Sequence, residues 1–331
     1  MPMKSLVEKF IFQIRDAIEV GENSMFSSSN KSFSNVLVTG LGGSGIGGTI
    51  VSELCKNQLK IPMEICNEYS IPEYVGEQTL VIASSFSGNT EETLCAVAMA
   101  QEKGAEIACI TSGGKLLEIA KENGYNHIIL PTERSPRAML TYSLTQQLFL
   151  LHNYGLIDGD FKKELKQATK ILDETLNEIK SIAHEVALGL HKRTAVLYSA
   201  SNFEGVVTRM RQQLNENAKV LCWHHVIPEM NHNELVGWAG GKEEYAVVIL
   251  RSSFDHPRTT VRMNICKEII SNYTSTIFDV SAKGESAIEQ ALYLILFGDW
   301  VSVYLAELNQ VDPIEVNVID FLKGELSKIP S

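Results

Sequence analysis

The chain has 331 residues, more than a single hydrophobic core usually serves, so two domains are expected. Hydrophobic residues make up 44% of it and charged residues 21%, which excludes a disordered chain. A net charge of -11 speaks against nucleic acid as a partner, because binding a phosphate backbone draws on clustered Lys and Arg; any phosphate held here is small and locally gripped.

The opening Met-Pro-Met-Lys-Ser-Leu-Val-Glu-Lys-Phe is amphipathic and carries acids, so it reads as neither a signal peptide nor a membrane span. No later stretch is expected to supply the roughly 20 apolar residues of a spanning helix. Residues 5–20 have helical periodicity, with Leu6, Phe10, Ile14 and Ile18 on one face, and Gly21 with a polar Asn/Ser patch ends this lead-in helix. A strand is predicted over 35–39, and Gly40-Leu-Gly-Gly-Ser-Gly-Ile-Gly-Gly48 reads as the turn from it into a helix reaching about Lys56. Further strands are predicted at 62–66, 79–83, 107–111 and 127–130, with helices at 90–103 and 115–123. Such regular alternation predicts an α/β fold with a doubly wound parallel sheet, whose ligands lie at the carboxyl ends of the strands.

Pro136 and Arg137 precede an apolar helix over 139–153, and a charged helix from Phe161 to about Leu190 leads into a second half. The domain boundary is placed near residue 155, giving units of 1–154 and 155–331. The second half starts over, with strands at 194–199, 220–223, 246–250 and 276–280, a helix over 203–217 and a terminal helix over 285–308. The order of elements repeats without obvious residue identity, as an internal duplication would leave it. The cysteines, Cys55, Cys66, Cys95, Cys109, Cys222 and Cys266, lie far apart without metal-ligand spacing and read as reduced core residues of a cytoplasmic protein.

Three constellations carry candidate chemistry. In the first, Ser84-Ser-Phe-Ser-Gly-Asn-Thr90 joins a strand to a helix and converges hydroxyls on first-turn amides that have no helical partner, a setting that suits a phosphate. A plain capped helix is the alternative, with Asn89 or Thr90 as cap and Glu92 or Thr93 reciprocating. Upstream, Gly40, Gly42 and Gly45 satisfy the dinucleotide spacing, and Glu64 and Glu68 lie where a ribose-binding acid is expected, which taken literally predicts NAD. Against NAD stands the second hydroxyl-rich loop, because a sugar phosphate held by Ser44, Ser85, Ser87 and Thr90 would use both loops at once.

The second constellation is Glu216 in Leu214-Asn-Glu-Asn-Ala-Lys219, at a helix end before a strand. A partly buried carboxylate there could take a proton from a carbon next to a carbonyl; a solvated Glu paired with Lys219 is the alternative. The third is Pro228-Glu-Met-Asn-His-Asn-Glu234, where His232 among amides suits a proton shuttle to a sugar ring oxygen. His224, His225 and His232 lack zinc spacing, so no metal is expected, and His224 and His225 read as structural. Trp223, Trp238 and Trp300 are expected in the core.

Taken together, Gly42 to Gly48, Ser85-Phe-Ser-Gly-Asn-Thr-Glu-Glu-Thr93, Pro136-Arg137-Ala138, Glu216-Asn-Ala-Lys219 and Glu229-Met-Asn-His-Asn-Glu234 resemble the bifunctional phosphoglucose/phosphomannose isomerases, across nearly the whole chain and in order. The resemblance implies two doubly wound parallel-sheet sugar-isomerase (SIS) domains flanked by helices and a homodimer with active sites at the subunit interface. It implies aldose–ketose isomerisation of hexose 6-phosphates through a cis-enediol, with no metal or organic cofactor. Residue by residue, it implies that Ser44, Ser85, Ser87 and Thr90, with backbone amides around Gly43, hold the phosphate. Glu216 would be the base, Arg137 the stabiliser of the enediolate, and His232, from the other subunit, the aid to ring opening, shared by Lys323 in Ile319-Asp-Phe-Leu-Lys323. Two departures stand out. Phe86 replaces the Tyr of many members, and Val311-Asp-Pro-Ile-Glu-Val316 carries Ile314 and Val316 where members accepting mannose 6-phosphate are expected to place a small hydroxyl residue. Glucose 6-phosphate/fructose 6-phosphate conversion is therefore the primary expectation and mannose 6-phosphate the secondary one. A sugar-phosphate sensor without chemistry and an NAD-dependent oxidoreductase are the competing functions.

Overall fold

The computed structural model describes residues 2–132 and 135–329. Two lead-in helices, α1 (Met3–Glu8) and α2 (Phe10–Asn23), precede a first half of β1 (Asn35–Thr39), α3 (Gly42–Leu54), β2 (Met63–Cys66), β3 (Thr79–Ser84), α4 (Glu91–Glu102), β4 (Glu106–Thr111), α5 (Gly114–Glu122) and β5 (Asn126–Ile129). A 3-10 turn over Pro136–Met139 runs into α6 (Leu140–Asn153), and the long α7 (Phe161–Leu190) crosses to the second half. There follow β6 (Thr194–Ala200), α8 (Glu204–Ala218), β7 (Trp223–Ile227), α9 (Glu234–Gly237), β8 (Tyr245–Arg251), α10 (Pro257–Ile270), β9 (Ile277–Ser281), α11 (Ala287–Asn309) and α12 (Asn317–Leu326).

Both sheets are parallel, in the orders β2-β1-β3-β4-β5 and β7-β6-β8-β9. The second repeats the first without its last strand. In each, the chain reverses direction at its first strand, leaving a switch point between β1 and β3 and another between β6 and β8, where crevices open at the carboxyl edge. Strand alternation sorts the side chains by face. Val36, Val38, Leu80 and Ile82 of the first sheet and Leu197, Val248 and Leu250 of the second enter one shared core with α2, α3, α6, α7, α8 and α11. Leu37, Val81 and Ala83 face α4 and α5, and Val196, Val247 and Ile249 face α10. The two sheets therefore look at each other through a common helical layer rather than standing as separate globules.

Four expectations are corrected. The run Gly40 to Gly48 is mostly the first turns of α3 rather than a turn before it. Packing decides this, since a Cβ on Gly48 would lie 2.9 Å from Val38 Cγ1, so the helix can approach β1 only without side chains. The strand expected over 220–223 begins at Trp223 instead; Val220 closes α8, its N–H reaching the Leu214 carbonyl and its own carbonyl accepting from Asn215. Trp223 itself is half-exposed on an edge strand, whereas Trp238 and Trp300 are buried as expected. Finally, α11 is long and apolar enough by composition to cross a membrane, its apolar stretch having a mean hydropathy of 1.5, but 83% of that stretch is buried inside the protein, where it forms the central core helix.

α3 and α8 join the halves directly. The Gly205 N–H, in the first turn of α8, donates to both carboxylate oxygens of Glu53 near the end of α3, at 2.8 and 3.1 Å. Burial pushes the Glu53 carboxyl up to about 8, against the lowering pull of that N–H. A folded-state value above the ordinary 4.5 means the native chain holds a proton that the unfolded chain releases. The contribution is complete below the usual glutamate range and is lost as pH rises through about 8. Glu53→Gln should therefore match the wild type in urea unfolding at pH 5 and overtake it towards pH 8; parallel stability profiles for the two proteins would contradict this.

Candidate functional site

The first switch point is bounded by the N-termini of α3 and α4. Neither helix has a side-chain cap: Leu41 and Thr90 occupy the cap positions, and the Thr90 hydroxyl is turned aside to Ser85 Oγ at 2.8 Å. Asn89, the other expected cap, serves a different helix, its Oδ1 accepting from Lys115 N of α5 at 3.1 Å. The plain capped-helix alternative is thus not what forms. Two positive helix ends with unsatisfied amides face one crevice.

The Ser84–Thr90 loop is held from behind by the turn after β4. The Phe86 carbonyl accepts from Ser112 N and Oγ at 3.0 and 2.6 Å, and the Gly88 carbonyl accepts from Leu116 N at 2.9 Å. Gly88, at φ 68°, comes so close that a Cβ would lie 1.8 Å from the Gly113 carbonyl oxygen. Ser85 Oγ accepts from Gly88 N at 3.1 Å and Ser87 Oγ from Asn89 N at 3.2 Å, which pins the hydroxyls. Ser85 is buried, Ser44 and Thr90 are half-buried, and Ser87 faces solvent.

The 3-10 turn that carries Arg137 sits beside this crevice. A methyl built on Gly43 would stand 3.6 Å from the Pro136 carbonyl and 3.8 Å from Arg137 Cα. Ser135, which starts the turn, has a left-handed φ of 76°, a conformation that costs about 1–3 kcal/mol in a residue with a side chain. From there the Arg137 side chain reaches the second half: Nε donates to Asn217 Oδ1 at 2.8 Å, Nη2 to the Pro313 carbonyl and to that of Ile314 at 3.3 Å, and Nη1 lies 3.5 Å from Glu216 Oε2. Arg137 is buried, and burial pulls its pKa below the usual arginine value, with the nearby Arg209 adding to that pull and Glu216 opposing it. Glu216 keeps 33% of its side chain exposed. Lys219, its partner in the alternative reading, bonds elsewhere, donating to the backbone carbonyls of Glu216 at 2.5 Å and Glu315 at 2.6 Å. The Glu216 carboxylate is therefore left to Arg137 and to whatever enters the crevice.

Gly43, Arg137 and Glu216 are thus brought into one neighbourhood, next to the serine loop. His232 and Lys323 are not. His232 is exposed at the end of a 3-10 turn, and Lys323 is exposed on α12; neither makes a hydrogen bond or ion pair to Glu216 or Arg137. The rest of the 228–234 segment is structural rather than an open loop of functional groups. Glu234 accepts from Tyr198 Oη and from Trp223 Nε1 at 3.2 Å and pairs with His225 Nδ1 at 3.0 Å, while Asn233 Nδ2 donates to Glu229 at 3.0 Å. His224 Nε2 meets Thr208 Oγ1 at 3.0 Å, and burial lowers its pKa to about 4. No group of three or more His, Cys, Asp or Glu side chains able to hold a metal occurs among the described residues.

The second switch point is filled by the protein itself. Besides Glu53 on Gly205, Gln290 accepts from Ser252 Oγ at 2.7 Å and Ser253 N at 3.0 Å, Asp255 accepts from Ser252 N at 2.9 Å, and His256 Nδ1 caps α10 by accepting from Arg258 N at 3.1 Å. Among the described residues, the starts of α3 and α4 at the first crevice have no such side-chain cap. What the sequence did not expose is the buried support between α8 and α11: Arg209 Nη2 donates to the Arg137 carbonyl at 2.6 Å and pairs with Asp299 at 3.2 Å. These partners lie 72 and 90 residues from Arg209 in sequence, and no local pattern signals them.

Family models match in both halves: residues 33–156 match the SIS domain and residues 179–326 the bacterial phospho-glucose isomerase C-terminal SIS domain. A bifunctional phosphoglucose/phosphomannose isomerase of Caldicellulosiruptor bescii is 38% identical over 96% of each chain. One from Aquifex aeolicus is 34% identical over 89% of this chain and 91% of its own. Among solved structures, the C-terminal domain of glucosamine-fructose-6-phosphate aminotransferase from Francisella tularensis superposes with a TM-score of 0.74 at 12% identity, covering 94% of this chain and 96% of that one, a likeness of fold.

The buried Arg209–Asp299 pair makes a stability prediction. Asp299→Leu alone leaves the Arg209 charge uncompensated and should cost about 3–5 kcal/mol in urea unfolding, whereas Arg209→Met with Asp299→Leu should regain at least half of that loss. Equal losses in the single and double variants would show that the pair does not act as a unit.

Proposed function

This chain belongs to the bifunctional phosphoglucose/phosphomannose isomerase family, and from that premise we propose that its first crevice converts glucose 6-phosphate to fructose 6-phosphate and back, with mannose 6-phosphate as a second substrate. The protein is a sugar-phosphate aldose–ketose isomerase. The observation that carries the assignment of the site is the Arg137–Glu216 pair, 3.5 Å apart, standing against the backbone of Gly43 at the open helix end.

In this reading the phosphate binds the amides at the starts of α3 and α4, with the hydroxyls of Ser44, Ser85, Ser87 and Thr90. The open-chain sugar then extends towards the second half. Glu216 removes the proton from C2 of the aldose; the electron pair left behind forms the C1–C2 double bond as the carbonyl oxygen becomes an enediolate oxygen. Arg137 Nη1, already facing Glu216, meets that developing negative charge in a largely buried setting, where a fixed cation is worth more than in water. A proton then passes from the C2 hydroxyl to the oxygen on C1, and returning the first proton to C1 as the C2 carbonyl forms gives the ketose, so nothing is gained or lost overall. The Ile314 carbonyl is among the acceptors that hold Arg137, and its side chain packs partly buried against the core.

Ring opening needs a proton delivered to the ring oxygen, and His232 and Lys323 are the groups proposed for it. Their exposure supports a homodimer in which a second copy supplies them. α12, which carries Lys323, exposes Val318, Phe321 and Leu322, an apolar face that no other described residue covers. The division of the chain near residue 155, ahead of α7, and a cytoplasmic location belong to the same proposal; the six free cysteines are compatible with a reducing compartment.

Two measurements test this reading. With both aldose phosphates assayed side by side against fructose 6-phosphate, Glu216→Gln should lower kcat about 100-fold or more, while Ser87→Ala should chiefly raise KM. Unchanged turnover in Glu216→Gln would remove the base. Phe321→Glu should shift the protein from dimer to monomer in sedimentation and weaken turnover from the cyclic sugar; a monomeric wild type would remove the shared site.

A further inference from the structure

Arg137 has five N–H groups, and a guanidinium is useful at a reaction centre only if its plane and free edge point the right way. Its Nη2 edge is taken by the carbonyls of Pro313 and Ile314, and Nη1 faces Glu216. The single N–H on Nε goes to Asn217 Oδ1 at 2.8 Å. Asn217 follows Glu216 directly in the last turn of α8, where successive side chains diverge by about 100°. Glu216 consequently keeps 33% of its side chain exposed, while Asn217 is fully buried, and Arg137 spans the angle between the two.

The amide is not free to choose its orientation. Asn217 Nδ2 donates to Ser302 Oγ at 2.9 Å, and Ser302 Oγ in turn donates to the Asp299 carbonyl at 2.7 Å within α11. Turning the amide over would set its NH2 against the Arg137 N–H and its oxygen against a hydroxyl whose proton is already committed. Both bonds would be lost, so the chain of donors imposes one orientation. An amide also does what a carboxylate at this place could not: it orients the guanidinium without neutralising the charge that the enediolate requires.

We infer that Asn217 is a positioning residue for the isomerisation, setting the bearing of Arg137 relative to Glu216 through the Ser302-anchored amide. The inference rests on the proposed roles of Arg137 and Glu216, and a double-mutant cycle keeps the two apart. Asn217→Leu, of similar size but without an acceptor, should lower kcat about 10- to 100-fold with KM within about twofold, the scale of a misplacement near 1 Å. In an Arg137→Ala background the same substitution should change kcat less than about twofold, since the group it orients is gone. Thermal unfolding of each variant accompanies the kinetics, and if Asn217→Leu does not fold, Ser302→Ala carries the same cycle by releasing the amide without placing an apolar group beside the arginine. Wild-type kcat in the first substitution that folds, or losses that multiply in the double variant, would overturn the positioning role. Wild-type kcat in Arg137→Ala would instead overturn the reading of the site on which it rests.

Discussion

The charge of Arg137 is buried where the two halves of the chain meet, and the segments around it supply acceptors that offset part of the desolvation. Desolvating a guanidinium is expensive unless each donor finds an acceptor. Here the acceptors come from two separated segments, the end of α8 and the stretch before α12; the middle of α11 joins them through Asp299, which pairs with Arg209 as Arg209 donates to the carbonyl of Arg137. None of these segments could shift alone without stranding a donor. The position of α8 against the first half, and with it the position of Glu216, follows from that shared requirement as much as from apolar packing.

The two halves repeat one topology but have been put to different uses. At the first switch point, the helix ends are left uncapped and the hydroxyls are turned towards one another. At the second, Glu53, Gln290, Asp255 and His256 occupy the equivalent donors. A crevice satisfied from within has nothing left to offer an anion, so the second half contributes a carboxylate from the far end of its helix rather than a phosphate site at the near end. That difference explains why a chain with two similar sheets presents one constellation of acid, arginine and open amides.

Much of this was legible in the sequence, and the misses have physical causes. Strands of apolar β-formers such as those at 79–84 and 194–200 announced themselves because both faces are buried. The glycine run after β1 read as a loop because glycine is a poor helix former, yet contact with the strand beneath forbids side chains there. β7 was misplaced because Val220, Leu221 and Cys222 look more strand-like than the paired histidines that follow; Leu221 is in fact 90% exposed. The sequence does not signal α10 and α12, the first because Val261 and Ile265 lie on its solvent side, the second because its apolar face is exposed among the described residues. For the site, the serines, Glu216 and Arg137 could be singled out from local chemistry and family resemblance. Asn217, Arg209, Asp299 and Ser302 could not, since what distinguishes them is a set of contacts between segments about 70 to 90 residues apart in the chain.

The helix α3 touches both halves of the proposed chemistry: its first turn opens on the crevice and its last is clamped by Glu53 to the start of α8. It acts as a ruler about 20 Å long, stiff because its bonds are internal. In the proposed reading the phosphate is fixed at one end and the helix bearing the carboxylate is referred to the other, so the site would measure its substrate by carbon count. A sugar phosphate one carbon shorter, gripped by the same amides, would hold its reactive carbon one bond short of Glu216, so selection for chain length would be exercised at the proton transfer and not at the phosphate.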